Sequence, residues 1–376
     1  MDILLPNQEE VVESGSRATQ AQIKRSGLSY WLLFASNCAA LVLGSISASM
    51  LSRFYFMHGG SSRWLSTWVQ SIGFPLLLMP IYLSHLTGHS PRPFSLFTPK
   101  LLYACFGLGL LIGINNFLYS WGISYISVST ASLLLSTQLA FNAIFSFVLV
   151  KQKISFPSMN CIVLLTSSSI LLALSSSQDM PKGVTKFQYI LGFLSTLGAA
   201  GLFAVYLPLM EMVYKKLTSI KFTYALVMEM QLVMSISATL FATIGMVGDG
   251  AFREMREEAN GKFELGRLSY ILTVVGGVIS WQFCFMATTG LIFLTTSLMC
   301  GICMSALLPL IMVAGAVIFK DDFSGEKWIS TVLCMWGFFS YLYGERKKNQ
   351  EVVGLKRENG ERDRGRSMEL HDIEGL

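Results

Sequence analysis

Charge is scarce in this chain, and it is almost absent from long stretches of it. Only 14% of the 376 residues are Asp, Glu, Lys or Arg, whereas 52% are hydrophobic. This balance excludes an ordinary soluble globular domain, in which about 25% of residues are charged. Most of the apolar runs reach the roughly 20 residues that a helix needs to cross a bilayer core, so the pattern predicts a polytopic membrane protein. The runs cover residues 30–51, 64–86, 101–124, 128–150, 159–175, 189–214, 222–247, 268–290, 295–319 and 328–343.

Several chemical signatures are also missing. The sequence has no P-loop, so ATP is not expected to drive transport directly. It has no H-E-x-x-H motif and no nucleophile elbow, so neither an enzyme nor a bound cofactor is predicted. The spans contain no Lys or Arg, which a carrier of phosphate esters would need to hold its anion. Cys300 and Cys303 form a C-x-x-C without a second pair, and packing is favoured over metal binding.

The positive charges indicate how the chain is oriented. Only structures that satisfy their own backbone hydrogen bonds survive in lipid, so the apolar runs are expected to be helices. If the N-terminus is cytosolic, eighteen of the 28 Lys and Arg residues fall in cytosolic segments and ten outside. The positive-inside rule therefore predicts that both termini are cytosolic, as an even number of spans requires. The polar segments 1–29 and 345–376 are predicted to be disordered.

An internal similarity relates the two halves of the chain. Gly122 and Gly290, and likewise Ser129 and Ser297, are related by one offset of 168 residues, and similar links between spans surround them. Chance similarity between apolar segments is the alternative explanation. A repeat predicts two units of five spans, 30–177 and 187–344, with opposite orientations in the membrane because five is odd. Inverted repeats of this kind are typical of secondary transporters.

Three motifs connect the chain with a known family. The run YFMHGGSSRWLSTWVQSIGFP, which begins at Tyr55, closely resembles the signature of the plant purine permeases. VSTASL at Val128, followed by QLAFNA and VKQK, and EMQ at Glu229 are similar to further family motifs. The resemblance covers residues 30–345 and implies the drug/metabolite transporter fold of ten helices, with proton-coupled uptake of adenine-like bases and cytokinins. Many members have Asp-Asn where this chain has Asn115 and Asn116.

Aromatic side chains suited to a flat heterocycle recur in two spans. Trp64 and Trp68 are four residues apart and share a helix face, as do Trp281 and Phe285. Rings of this kind can stack on a base. The alternative is an aromatic belt at the membrane interface, which applies most to Trp64.

Amide side chains form the second set of candidates. Gln138 and Asn142 share a face of the fourth span, and Asn115 and Asn116 lie in the middle of the third, one turn from Tyr119. An amide offers both a donor and an acceptor to the edge of a base. We expect the aromatic and amide faces to line one cavity between the repeats. Contacts between helices are the alternative role for the amides.

Glu229 is the most informative single residue. It is the one acid predicted to lie well inside an apolar span, where a carboxylate is unfavourable and by default marks a functional site. The alternative is a side chain that reaches the cytosolic end of its helix near Lys221. Glu211, close to Lys215, is interpreted as interfacial.

These observations predict a secondary active transporter that takes up purine nucleobases and related heterocycles, such as cytokinins, together with protons. Its expected partners are the neutral heterocycle, protons and the lipid bilayer. The plasma membrane is the first expectation for its location, with an internal membrane as the alternative. A membrane receptor or scaffold for the same ligands, or an efflux carrier of the same superfamily, are the competing hypotheses.

Overall fold

The computed structural model describes residues 27–86, 92–151, 156–175, 184–217 and 223–319, and short stretches between 325 and 344. The described residues are helical or in turns, and no strand occurs among them. The predicted disorder of the two termini concerns residues outside the described part, except that the first helix already begins at Gly27. Up to the end of the ninth apolar run, the helices in chain order are α1 Gly27–Met57, α2 Arg63–Val69, α3 Leu78–Leu86, α4 Pro99–Tyr125, α5 Val128–Ser136, α6 Gln138–Val150, α7 Phe156–Ser175, α8 Lys186–Leu217, α9 Tyr224–Asp249, α10 Ala251–Glu257, α11 Gly266–Leu294 and α12 Ser297–Phe319.

The helices confirm an all-α membrane protein. Eight segments of the described chain are long and apolar enough to cross a membrane, and two shorter apolar helices cover residues 159–168 and 328–337. These two lie in the fifth and tenth of the apolar runs. The count of ten membrane-crossing helices and the inverted repeat stay predictions.

The second and fourth spans are interrupted, whereas the sequence predicted each of them as one helix. In the second span α2 ends at Val69, and a turn and a short 3-10 helix, Phe74–Leu77, precede α3. Pro75 lies at the start of the 3-10 helix and has no N–H to continue an α-helical ladder. In the fourth span Thr137 separates α5 from α6, and its hydroxyl donates to the carbonyl of Leu134 at 2.7 Å.

Glycine allows close packing between distant spans. α1 packs along α11, and a Cβ at Gly44 of α1 would lie only 2.8 Å from the backbone nitrogen of Cys284 on α11. α4 packs in the same way along α8. Small residues permit such backbone approach in membranes, where apolar surface gives little driving force for association.

The connection between α9 and α11 is folded. It contains the short helix α10, Ala251–Glu257. A π-helical turn, Glu258–Lys262, follows, and it lies close to the connection between α1 and α2. These elements gather at the end of the bundle where α1 and α9 terminate.

Candidate functional site

The interruption of the second span brings polar groups between α4 and α11. Ser62 caps α2 by accepting from the backbone N–H of Leu65 at 3.3 Å. Gln70, at the end of α2, donates through Nε2 to the carbonyl oxygen of Asn116 at 3.2 Å and to Ser120 Oγ at 2.9 Å. Its side chain thus fixes the interrupted segment against α4. Discontinuous helices inside a membrane are where many transporters build their substrate sites.

Three of the predicted aromatic residues form one group. The rings of Tyr119 and Trp281 meet edge to face with centroids 5.4 Å apart, and Trp281 stacks on Phe285 at 5.7 Å. The indole Nε1 of Trp281 donates to Ser52 Oγ at 3.2 Å. The residues come from α4 and α11, which correspond to each other in the predicted repeat, so the two halves share this aromatic group.

The adjacent asparagines lie next to this group on α4. Asn115 is one turn from Tyr119, and its Nδ2 donates weakly to Asn116 Oδ1 at 3.4 Å. Asn115 Oδ1 and Asn116 Nδ2 are buried and have no hydrogen-bond partner among the described residues. Most buried polar atoms in proteins are paired. These two free atoms, one acceptor and one donor, are therefore available to a ligand.

A cleft lies between α1, α2 and α11. It is small and partly open, and residues of α1, α2 and α11 line it, including Ser52, Tyr55, Ser66 and Gly277. None of the nine predicted substrate residues lines it. Trp281 lies one helical turn from Gly277, and Gln70 lies one turn from Ser66. The cleft therefore ends where the aromatic group and the interrupted span begin.

Trp64 and Trp68 lie apart from the aromatic group. Trp64 stacks on Phe117 with centroids 4.1 Å apart, and Trp68 Nε1 donates to Thr243 Oγ1 at 3.2 Å. Both side chains thus contact α4 or α9. Their substrate role stays a prediction.

Gln138 and Asn142 are buried near α12. Asn142 donates to the carbonyl of Ser297 at 3.1 Å and accepts from Ser146 Oγ at 3.2 Å. Both ends of this amide are thus used within the protein, in the kind of helix contact that the alternative interpretation describes. Neither Gln138 nor Asn142 lines the described cleft, and their binding role stays a prediction.

Glu229 is buried in the first half of α9, with 5% of its surface exposed. Its carboxylate lies close to the backbone of Phe94, in the connection between α3 and α4. Phe94 has a φ of +60°, a left-handed conformation that is uncommon for a bulky residue. The predicted partner, Lys221, lies outside the described residues.

Glu211 is buried within the protein, whereas its interpretation as an interfacial residue did not include burial, and its depth in the membrane stays a prediction. Its carboxylate accepts from the backbone N–H of Ser297 at 2.7 Å and pairs with Lys215 at 2.8 Å. The acid therefore lies at the N-terminus of α12, where the free N–H groups and the helix dipole favour a negative charge. The sequence placed it correctly near Lys215, but it could not show that α12 would cover it.

Glu258 is a buried acid that the sequence did not single out. Its carboxylate accepts from the Tyr55 hydroxyl at 2.8 Å and from the backbone N–H and hydroxyl of Ser61 at 2.8 and 3.0 Å. Only 1% of its surface is exposed. It ties the π-helical turn to the start of α2, and Tyr55 also lines the cleft. The polar composition of its loop gave no signal of burial.

The comparisons with known proteins agree with this architecture. A family model described as purine nucleobase transmembrane transport matches residues 32–351. The chain is 51% identical over 311 residues to probable purine permease 4 of Arabidopsis thaliana, covering 80% of each protein. It is 38% identical to purine permease 3 of the same plant, covering 86% of this chain and 94% of the relative.

A solved crystal structure shares the fold alone. It matches with a TM-score of 0.53 at 15% identity and covers 82% of this chain and 99% of the other. The family model, in contrast, spans most of the sequence, and the relatives match through most of their own length. This polytopic helical protein therefore belongs to the purine nucleobase transporter family and is a transporter, not an enzyme.

Proposed function

We propose that this purine nucleobase transporter imports adenine-like bases and cytokinins together with protons, across the plasma membrane. The observation that carries the proton coupling is the buried carboxylate of Glu229. Among the described residues, no Lys or Arg forms an ion pair with it. A carboxylate in this setting can exchange a proton during the transport cycle, because its charge is not neutralised by a fixed cation.

The contact with Phe94 supplies a link from protonation to movement. A charged carboxylate attracts a nearby backbone N–H, such as that of Phe94, more strongly than a neutral acid does, because charge-assisted hydrogen bonds are the stronger ones. A left-handed residue persists only where its surroundings hold it. Protonation of Glu229 would therefore weaken the hold on the connection between α3 and α4, at the face where α9 begins.

The substrate is proposed to bind between α4 and α11, beside the interrupted second span. The aromatic group of Tyr119, Trp281 and Phe285 offers ring surfaces for stacking. Asn115 and Asn116 offer an unpaired acceptor and donor to the edge of the base.

The pairing of helices supports the proposed inverted repeat. α1 and α8 form the first span of each proposed unit, and α4 and α11 form the third span. α1 packs along α11, and α8 packs along α4, so each first span lies against the third span of the other unit. If a two-fold axis relates the two units, a contact between α1 and α11 must recur as a contact between α8 and α4.

Uptake into cells that lack their own purine transport tests the direction and the coupling. We expect labelled adenine to accumulate when the outside is more acidic than the inside. The pH gradient alone supports an accumulation of about tenfold per pH unit if one proton accompanies each neutral substrate, and the membrane potential adds to it. A protonophore should abolish the accumulation, and unlabelled cytokinin should compete. Uptake that is insensitive to pH and protonophore would contradict symport, and adenine loss driven by an acidic outside would indicate efflux.

We also propose that both termini are cytosolic, from the distribution of Lys and Arg. A tag placed after Leu376 should resist protease added to intact cells and be digested once the cells are permeabilised. Digestion of the tag in intact cells would show the opposite orientation.

A further inference from the structure

Gln282 carries a buried donor that no described residue accepts. It follows Trp281 on α11, and its side chain is 4% exposed. Its Nε2 has no hydrogen-bond partner among the described residues. A buried amide N–H without an acceptor is unfavourable, so an unpaired donor at this depth indicates a place for a ligand atom.

The interrupted span holds Gln282 in position. A Cβ on Gly73 would lie 2.9 Å from the Cβ of Gln282 and 3.1 Å from its Oε1, so a side chain at Gly73 would force Gln282 to move. Three residues earlier, Gln70 donates to the carbonyl of Asn116 on α4. The same short segment therefore contacts Gln282 on one side and Asn116 on the other.

The unpaired atoms around this segment complement the edge of a purine. Gln282 Nε2 and Asn116 Nδ2 are free donors, and Asn115 Oδ1 is a free acceptor. A purine ring presents lone pairs on its unsubstituted ring nitrogens, and adenine adds N–H donors. Trp281, adjacent to Gln282, provides an aromatic face. Bases stack on such a face whatever polar groups their edges carry, because every base has an aromatic ring surface.

We propose that Gln282 is a specificity-determining residue for substrate, whose Nε2 donates a hydrogen bond to one ring nitrogen of the purine, with Gly73 as its positioning residue. The proposal rests on the substrate site proposed above. It identifies the hydrogen bond by which the transporter selects a ring that has an acceptor nitrogen facing Gln282 Nε2. It predicts that the transporter distinguishes adenine from an analogue in which that nitrogen is replaced by C–H.

Competition by 1-deaza-, 3-deaza- and 7-deazaadenine against labelled adenine tests the contact. Wild type should bind at least one of the analogues about tenfold more weakly than adenine, the factor expected for one neutral hydrogen bond. Gln282→Met keeps the length of the side chain and removes the donor. In this variant adenine should bind about tenfold more weakly, and the discrimination at that one ring position should disappear while the others persist.

Asn160→Leu is the matched control, because Asn160 on α7 donates to Ser340 at 2.9 Å and is already paired. It should leave the preference among the analogues unchanged. If Gln282→Met does not reach the membrane, Gln282→Leu supplies the test, since it also removes the amide donor without adding a polar group and should lose the same discrimination. Retention of wild-type discrimination at all three positions by a Gln282 variant would overturn the proposal. Absence of adenine uptake by the wild type would instead overturn the proposed function.

Discussion

Two buried carboxylates each accept a hydrogen bond from a backbone N–H at or just before the start of a helix. Glu211 accepts from Ser297, and Glu258 accepts from Ser61. A charge-assisted bond to a backbone N–H is strong where water is scarce. Side chains thus fix the positions at which the chain turns between helices.

The buried carboxylates also show what the sequence alone could reveal about single residues. Glu229 stood out because it interrupts an apolar run. Glu211 lies near the end of an apolar run, four residues before Lys215, and Glu258 lies in a polar loop, so neither sequence context indicates burial. They are buried because α12 and the start of α2, both distant in sequence, cover them. Periodicity and composition carry no information about such long-range contacts.

Glu258 and its neighbour Glu257 allow a matched comparison. Glu258→Ala leaves the hydroxyl of Tyr55 and the N–H of Ser61 without their acceptor, and we expect a loss of about 2–4 kcal/mol in stability. Glu257 is exposed to solvent and pairs with Lys262 at 2.6 Å, which lowers the pKa of the Glu257 carboxyl. Glu257→Ala should change stability little.

Thermal unfolding of the purified protein in detergent measures both variants. A clear decrease in Tm for Glu258→Ala alone is the expected result. Whatever the Glu257 pair contributes is present at neutral pH and is lost as the pH falls through the lowered pKa of its carboxyl, since protonation removes its charge. Equal Tm values for Glu258→Ala and wild type would show that the hydrogen bonds of Glu258 do not stabilise the fold.

At the scale of elements, hydropathy located the spans but not their interruptions. The second span reads as one apolar run, because the residues of its break, such as Phe74 and Leu77, are as apolar as the helices around them. The structure places Pro75 at the start of a 3-10 helix, directly after the turn that contains Gly73.

The candidate site was only partly predictable from the sequence. Mid-span asparagines and paired aromatics are visible in a sequence, and Tyr119, Trp281 and Phe285 do form one group. Gln282 has no such signal, because a glutamine in an apolar run is equally suited to a helix contact. Its significance depends on the free Nε2 and on the close approach of Gly73, which only the packing of the two spans reveals.

At the scale of the whole molecule, the two ends of the bundle differ. The cleft lies at the end where α1 terminates and α11 begins. At the opposite end, Glu211 holds Ser297 at the start of α12, and Glu229 lies close to Phe94. We interpret the cleft as lying on the membrane side opposite the N-terminus. The carboxylate contacts hold the helices together on the N-terminal side. Alternating access would require those contacts to be released.

The central claim is that Glu229 couples proton movement to substrate movement. Its most direct test compares wild type and Glu229→Gln after reconstitution into liposomes. Adenine accumulation under an imposed proton gradient is measured beside adenine exchange without a gradient, with Glu257→Gln as the control for a lost surface charge. We expect Glu229→Gln to retain exchange but to lose the gradient-driven accumulation, because an amide cannot carry the proton. Accumulation by Glu229→Gln at the wild-type level, with the wild-type dependence on pH, would contradict it.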